Sequence, residues 1–311
     1  MLKFIAAGIA ATAISFGLAQ AQPVAVSITV DPDSDGPVIS RHIFGQFAEH
    51  LGTGIYNGVW VGPDSDIPNT RGLRNDVVAA LREIQVPNVR WPGGCFADEY
   101  HWRDGVGPDR KKRRNASWAG RIETNAFGTH EYFDLLEQIG AEPFISVNVG
   151  SGSVQEAQDW LEYLTAEGTS LADERVANGR VEPWGVTFWG IGNESWDCGG
   201  PFTADEYVRE LKQFLNFTTN YNEDVTPVNV AVGPDVGGYE EYTETVMKAW
   251  STRSWTWDIQ ALSLHNYTRG VWPPRIKSTG FGEEDYAMVL AETLGMNDFI
   301  ERNAAIMDKY D

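Results

Sequence analysis

The clearest chemical signal in the chain is a carboxylate that closes an apolar run. Residues 185–192 read Gly-Val-Thr-Phe-Trp-Gly-Ile-Gly and end abruptly in Asn193-Glu194. A short apolar run of strand length that stops at Asn-Glu reads as a buried strand delivering a carboxylate into a cleft. Glycoside cleavage uses paired carboxylates, one of which donates a proton to the leaving oxygen. Trp189 and Trp196 flank Glu194 as desolvating neighbours for such a donor. Other apolar runs end in comparable groups: Glu49-His50, Arg90 to Cys95, Asn148, and His265-Asn266-Tyr267. Asn193 can donate to and accept from a sugar hydroxyl. Arg90 is always charged and can hold a nearby carboxylate ionised. Gly93-Gly94 lets backbone approach a ligand closely. His265 and Tyr267 can orient a carboxylate or touch a sugar. The five histidines lack metal-ligand spacing such as H-E-x-x-H, so neither a metal site nor a cofactor is expected.

Strands must carry these groups to one mouth. Strand-like runs fall at 43–47, 86–91, 143–149, 186–192, 228–232 and 261–264, after a first extended stretch at 24–30. Helix-like segments lie between them at 74–84, 128–139, 154–166, 204–220, 239–250 and 283–310. Thr203 reads as an N-cap with Glu206 at the capping-box position. Alternation of strand and helix with long crossovers points to a parallel sheet covered by helices. Six units fit; an eight-unit barrel needs two more. A doubly wound sheet needs none, but Phe47-Ala48-Glu49-His50 stands where its Gly-rich phosphate loop belongs.

Composition bounds the partners. The 311 residues are 42% hydrophobic, enough for a sizeable core, and carry a formal charge of −20. So acidic a balance disfavours nucleic acid and anionic membrane surfaces and suits a neutral or cationic ligand. The cluster Arg110 to Arg114 reads as a solvated loop. Twelve Trp supply flat faces for sugar rings as well as for the core. Residues 1–21, with Lys3, an apolar stretch and Ala19-Gln20-Ala21, read as a cleaved secretory signal, implying a secreted or periplasmic protein. No later run reaches transmembrane length. Export permits one disulfide, and Cys95 and Cys198 both follow strand ends at the same mouth; sequence leaves their pairing open.

From about residue 43 onward the chain resembles glycoside hydrolase family 51, the α-L-arabinofuranosidases. The resemblance is carried by Phe44-Gly45-Gln46-Phe47-Ala48-Glu49-His50-Leu51-Gly52 and by Val89-Arg90-Trp91-Pro92-Gly93-Gly94-Cys95-Phe96-Ala97-Asp98. Similar segments follow at 101–108, 123–129 and 147–152, then Trp189 to Glu194 and Ser263 to Tyr267. It implies a (β/α)8 TIM barrel, here with about six β/α units, and a retaining exo-acting α-L-arabinofuranosidase acting on arabinose-containing oligo- or polysaccharides. By matched position Glu194 would be the general acid/base, and Asn193 would hold the sugar 2-hydroxyl. Glu49 would bind sugar hydroxyls, and Arg90, His265 and Tyr267 would arrange the pocket. Trp118 would line the substrate site. Cys95 stands where many relatives have a sugar-binding Asn.

The family nucleophile is a Glu closing a seventh strand in a segment resembling Asp-Glu-Trp-Gly, which these 311 residues do not contain. Glu283-Glu284 begins a helix and is no substitute. The expectation is therefore an N-terminal fragment: residues 1–21 signal, 22–42 a strand segment that pairs with an absent C-terminal β-sandwich, and 43–311 a partial barrel. Such a fragment is expected to be inactive alone; the complete protein is a candidate homo-oligomer, as family members often are. Two alternatives remain: another clan A glycosidase, or a secreted carbohydrate-binding protein without catalysis.

Overall fold

Six parallel strands stand side by side in the order in which the chain makes them. They are β1 (Gln46–Phe47), β2 (Asn88–Trp91), β3 (Glu142–Val147), β4 (Phe188–Ile191), β5 (Val228–Asp235) and β6 (Ala261–His265). The computed structural model describes residues 38–235, 240–268 and 277–311, with isolated positions 27, 29 and 36. The expected signal segment and most of the expected stretch at 24–30 lie outside the described residues. One compact unit runs from Ser40 to Asp311.

Strand order decides between the two architectures left open by the sequence. A doubly wound sheet reverses direction at a switch point. Here every neighbour is the next strand along the chain, with registers such as Phe47↔Arg90, Arg90↔Phe144 and Ile145↔Trp189. Right-handed crossovers in one unbroken direction put all helices on one face, as in a TIM barrel, and leave the other face as the inside of a curl.

The helices are α1 (Asn75–Glu83), α2 (Thr129–Ile139), α3 (Val154–Thr165), α4 (Ser170–Ala177), α5 (Ala204–Phe217), α6 (Glu240–Ser251) and α7 (Glu283–Asp308). Five of the six expected helices agree within a few residues; the sixth, at 239–250, is described from Glu240. Thr203 caps α5, and Glu206 closes the capping box by accepting the Thr203 N–H at 2.8 Å. Helix α4 was not expected. Its start is marked by Thr169, whose hydroxyl accepts the Ala172 N–H at 3.2 Å. The first expected strand shrinks to two residues, because Ser40 caps a 3-10 turn over Arg41–Phe44.

Side chains alternate across the sheet, as the two-residue strand period requires. Ile145, Val147, Trp189 and Ile191 are buried under the helices. Phe144, Ser146, Phe188, Gly190, Val230 and Val232 line the opposite face, an open groove of about 720 Å³. Under the helices, Trp91 stacks on Tyr132 at 4.9 Å and Trp160 meets Trp91 edge-on at 5.9 Å. Trp189 packs edge-on against Trp160 in this layer, so it belongs to the core rather than beside Glu194 as expected. Two helix tyrosines pin the sheet. Tyr132 of α2 donates to Val89 O and accepts from Phe144 N; Tyr207 of α5 does the same for Ile191 O and Val232 N.

The cluster at 110–114 is solvated as expected over 111–114, but several of its charges are paired. Arg110 is part-buried and bidentate to Glu131, Lys111 and Arg113 pair with buried Asp104, and Arg113–Arg114 forms a ribbon with Ile122–Glu123. The acids that capture these charges lie in neighbouring segments that a charge run alone does not reveal. No helix among the described residues is long and apolar enough to cross a membrane.

Candidate active site

The C-terminal ends of β1, β2, β4 and β6 bring the expected groups to one mouth. Strand β4 ends at Ile191; Gly192 then turns with φ +91° and Glu194 takes φ +35°. Positive φ is uncommon for a residue with a Cβ and is held by surrounding contacts. The Glu194 carbonyl accepts from Asp197 N at 2.8 Å and Gly199 N at 3.1 Å, closing a tight turn that aims the side chain back over the sheet. His265, at the end of β6, places Nδ1 2.8 Å from Glu194 Oε1. Trp196 meets the His265 ring edge-on at 6.4 Å and anchors its own Nε1 to Gly233 O at 2.9 Å.

Arg90 sits beneath them. Its Nη1 donates to Asn193 Oδ1 (3.1 Å), Gly93 O (3.0 Å) and Ser146 Oγ (3.3 Å), and the guanidinium lies 4.3 Å from the Phe47 ring centroid. Burial lowers the pKa of Arg90, while the charges of Glu49 and Glu194 oppose that shift.

Glu49 is 9% exposed and accepts the Phe96 N–H at 3.2 Å. Burial raises its pKa, against the hydrogen bond from Phe96 and the charge of Arg90. Gly93 and Gly94 make its position possible, because a Cβ there would fall 2.9 and 2.8 Å from Oε1. The double glycine thus serves close approach, as expected, but to Glu49.

Trp118 stands on the turn of the 113–123 ribbon. Its N–H bonds Asn115 Oδ1 at 2.8 Å, and Asn115 Nδ2 donates to His50 O at 2.9 Å. Tyr267 lies just beyond β6, 58% exposed, on the rim of the groove.

Cys95 and Cys198 are joined as a disulfide across 103 residues. In that state Cys95 has no S–H to offer a sugar, which removes the hydrogen bond its position suggested. Instead both sulfurs pack on Glu194: Oε2 lies 3.4 Å from Cys198 Sγ and 4.0 Å from Cys95 Sγ. These three side chains also form a cluster with metal-like spacing, but sulfurs bonded to each other are not thiolate ligands.

Two other expected candidates are structural. His50 is buried, accepts from Trp91 Nε1 at 3.0 Å and places Nδ1 3.1 Å from Glu123, to which Tyr56 also donates. Asn148 secures the turn after β3, with Oδ1 accepting from Ser151 N and Gly152 N. Sequence reasoning missed Asp98 as a polar hub. It lies four residues past the Gly-Gly pair inside a 3-10 turn, and no periodic pattern flags it.

The mouth thus holds a carboxylate bracketed by an imidazole and a disulfide, a second carboxylate with an arginine, and aromatic walls. Such a set can bind hydroxyls and pass a proton to a leaving oxygen.

Residues 80–232 match the family described as Alpha-L-arabinofuranosidase 1 domain. The chain is 43% identical over 289 residues to an intracellular exo-alpha-L-arabinofuranosidase of Bacteroides ovatus, covering 92% of this chain and 55% of that protein. An intracellular exo-alpha-(1->5)-L-arabinofuranosidase of Streptomyces lividans is 35% identical, over 90% of this chain and 41% of that protein. The crystal structure of the GH51 arabinofuranosidase from Xanthomonas axonopodis pv. citri superposes with TM-score 0.86 at 48% identity, covering 90% and 56% of the two chains. The chain spans about half the length of the curated relatives it matches.

These names overturn one expectation. A secreted or periplasmic location was read from residues 1–21, whereas the relatives from Bacteroides ovatus and Streptomyces lividans are described as intracellular. A short basic start followed by an apolar run is only a compositional pattern, and the expectation drawn from it is withdrawn.

Proposed function

Because the chain belongs to glycoside hydrolase family 51, we propose that it forms the acid/base half of a retaining exo-acting α-L-arabinofuranosidase that releases terminal arabinofuranosyl groups. The observation that carries this reading is Glu194 at the mouth, bracketed by His265 and the Cys95–Cys198 disulfide. Glu194 protonates the departing glycosidic oxygen and then, as carboxylate, draws a proton from the attacking water. Asn193, held by Arg90, receives the sugar 2-hydroxyl, and Glu49 binds further hydroxyls. His265 and Tyr267 shape the pocket, and Trp118 offers a flat face to the sugar.

Retention needs a second carboxylate about 5–5.5 Å from the first. The family pattern puts it at the end of a seventh strand of a (β/α)8 barrel, and the sheet among the described residues has six. On this reading the 311 residues alone turn over little substrate. The full-length gene product should cleave 4-nitrophenyl α-L-arabinofuranoside and, by early proton NMR, release L-arabinose with its anomeric configuration kept. An inverted first product, or no cleavage while other aryl glycosides are cleaved, would sink the proposal.

A further inference from the structure

Asp98 is buried at the junction of three loops that rise from adjacent strands. It sits in the 3-10 turn Cys95–Glu99 after β2 and is 5% exposed. Its Oδ1 accepts from Val149 N (2.9 Å) and Gly150 N (3.0 Å), both just past β3. Its Oδ2 accepts from Asn193 N at 3.2 Å, just past β4. The Asp98 carbonyl also accepts from Ser151 N and Ser151 Oγ, each at 2.9 Å. The packing leaves no slack: a Cβ on Gly150 would fall 2.8 Å from Asp98 Cβ, and one on Gly199 would fall 2.8 Å from Oδ2.

From this geometry we infer that Asp98 is the positioning residue for the Asn193–Glu194 strand end, acting through the Asn193 amide rather than on substrate. The inference rests on the proposed role of Glu194. The physical need for such a tie is local. Glu194 holds φ +35°, a strained conformation for a non-glycine residue. An unanchored strand end would relax toward ordinary φ and swing the carboxylate away from His265. Anchoring the Gly192–Asn193 peptide plane to an Asp98 carboxyl group that is itself fixed by the turn after β3 resists that relaxation. Burial pushes the Asp98 carboxyl up to about 8 even though three backbone donors and Arg90 pull it down.

Asp98→Asn tests the inference. The amide can still accept from Val149 and Gly150, but its NH2 would face the Asn193 N–H and cannot accept from it. A misaimed proton donor hurts cleavage of poor leaving groups and spares those that depart as stable phenolates. In the full-length gene product, the variant should lose about 10²-fold in kcat/KM on phenyl arabinofuranoside. The loss on the 2,4-dinitrophenyl substrate should be only about threefold, with the melting temperature recorded alongside. A merely structural role lowers all substrates alike, so a uniform loss, or no loss on either, overturns the inference. If Asp98→Asn does not fold, Asp98→Ser is measured with the same two outcomes. An unmutated gene product that cleaves no arabinofuranoside would instead refute the functional reading, and this inference with it.

Discussion

His265 Nδ1 stands 2.8 Å from Glu194 Oε1 although β5 lies between the strands that carry them. The register of β6 on β5 shifts between Ser263 and His265, so His265 pairs with Asp235 at the very end of the sheet. That irregularity coincides with the place where the ring must reach across a strand. On the acid/base reading, His265→Ala removes the partner that orients Glu194. The full-length gene product should lose about 10- to 100-fold in kcat, the worth of a hydrogen bond to a charged group at ~1.5–3 kcal/mol. His265 is mostly enclosed by the mouth rather than the core, so the melting temperature should move little. Unchanged kcat would place the imidazole outside the mechanism.

The Cys95–Cys198 bond closes a loop of 103 residues and touches Glu194 with both sulfurs. In the chain-entropy account a loop near 100 residues stabilises by up to about 4.7 kcal/mol. Reduction with excess dithiothreitol should therefore lower the melting temperature by about 5–10 °C, and activity should fall with it. A Cys95→Ala/Cys198→Ala protein should resemble the reduced form. Identical melting with and without reductant would contradict the linkage.

Asp98 links stability to pH with a definite sign. Its folded pKa is raised to about 8 by burial, above its ordinary value of 3.8. Between those values the unfolded carboxyl has lost its proton while the folded one keeps it. Stability from this group is therefore complete below about pH 3.8 and is lost progressively as pH rises to about 8. The melting-temperature advantage of the unmutated protein over Asp98→Asn should shrink from pH 5 to pH 8. An advantage that grows with pH would mean that Asp98 is buried ionised.

Much of this was legible in the residues, for identifiable reasons. Each of the six strand runs overlaps an observed strand, since buried parallel strands read as near-continuous apolar segments. The polar residues that end them were legible because a strand must stop where its backbone leaves the sheet. Thr203 and Glu206 announced α5 through a local rule, and Thr169 before α4 could have been read the same way. What stayed hidden depends on contacts far apart in sequence. Arg110 meets Glu131, His50 meets Glu123, and Asp98 meets Asn193 across 95 residues. The role of Trp189 was misjudged because nearness in sequence does not fix a side chain's face: Trp189 packs under the helices against Trp160, whereas Glu194 lies past the strand end, beyond the Gly192 turn.

The central claim, that Glu194 is the proton-transferring group, is tested most directly by Glu194→Ala in the full-length gene product with 2,4-dinitrophenyl α-L-arabinofuranoside. Without its carboxylate base the second, hydrolytic step stalls, because water needs a base and azide does not. Added azide should then speed turnover and yield an arabinofuranosyl azide. Azide without effect on a variant that still hydrolyses arabino-oligosaccharides at the unmutated rate would contradict the account.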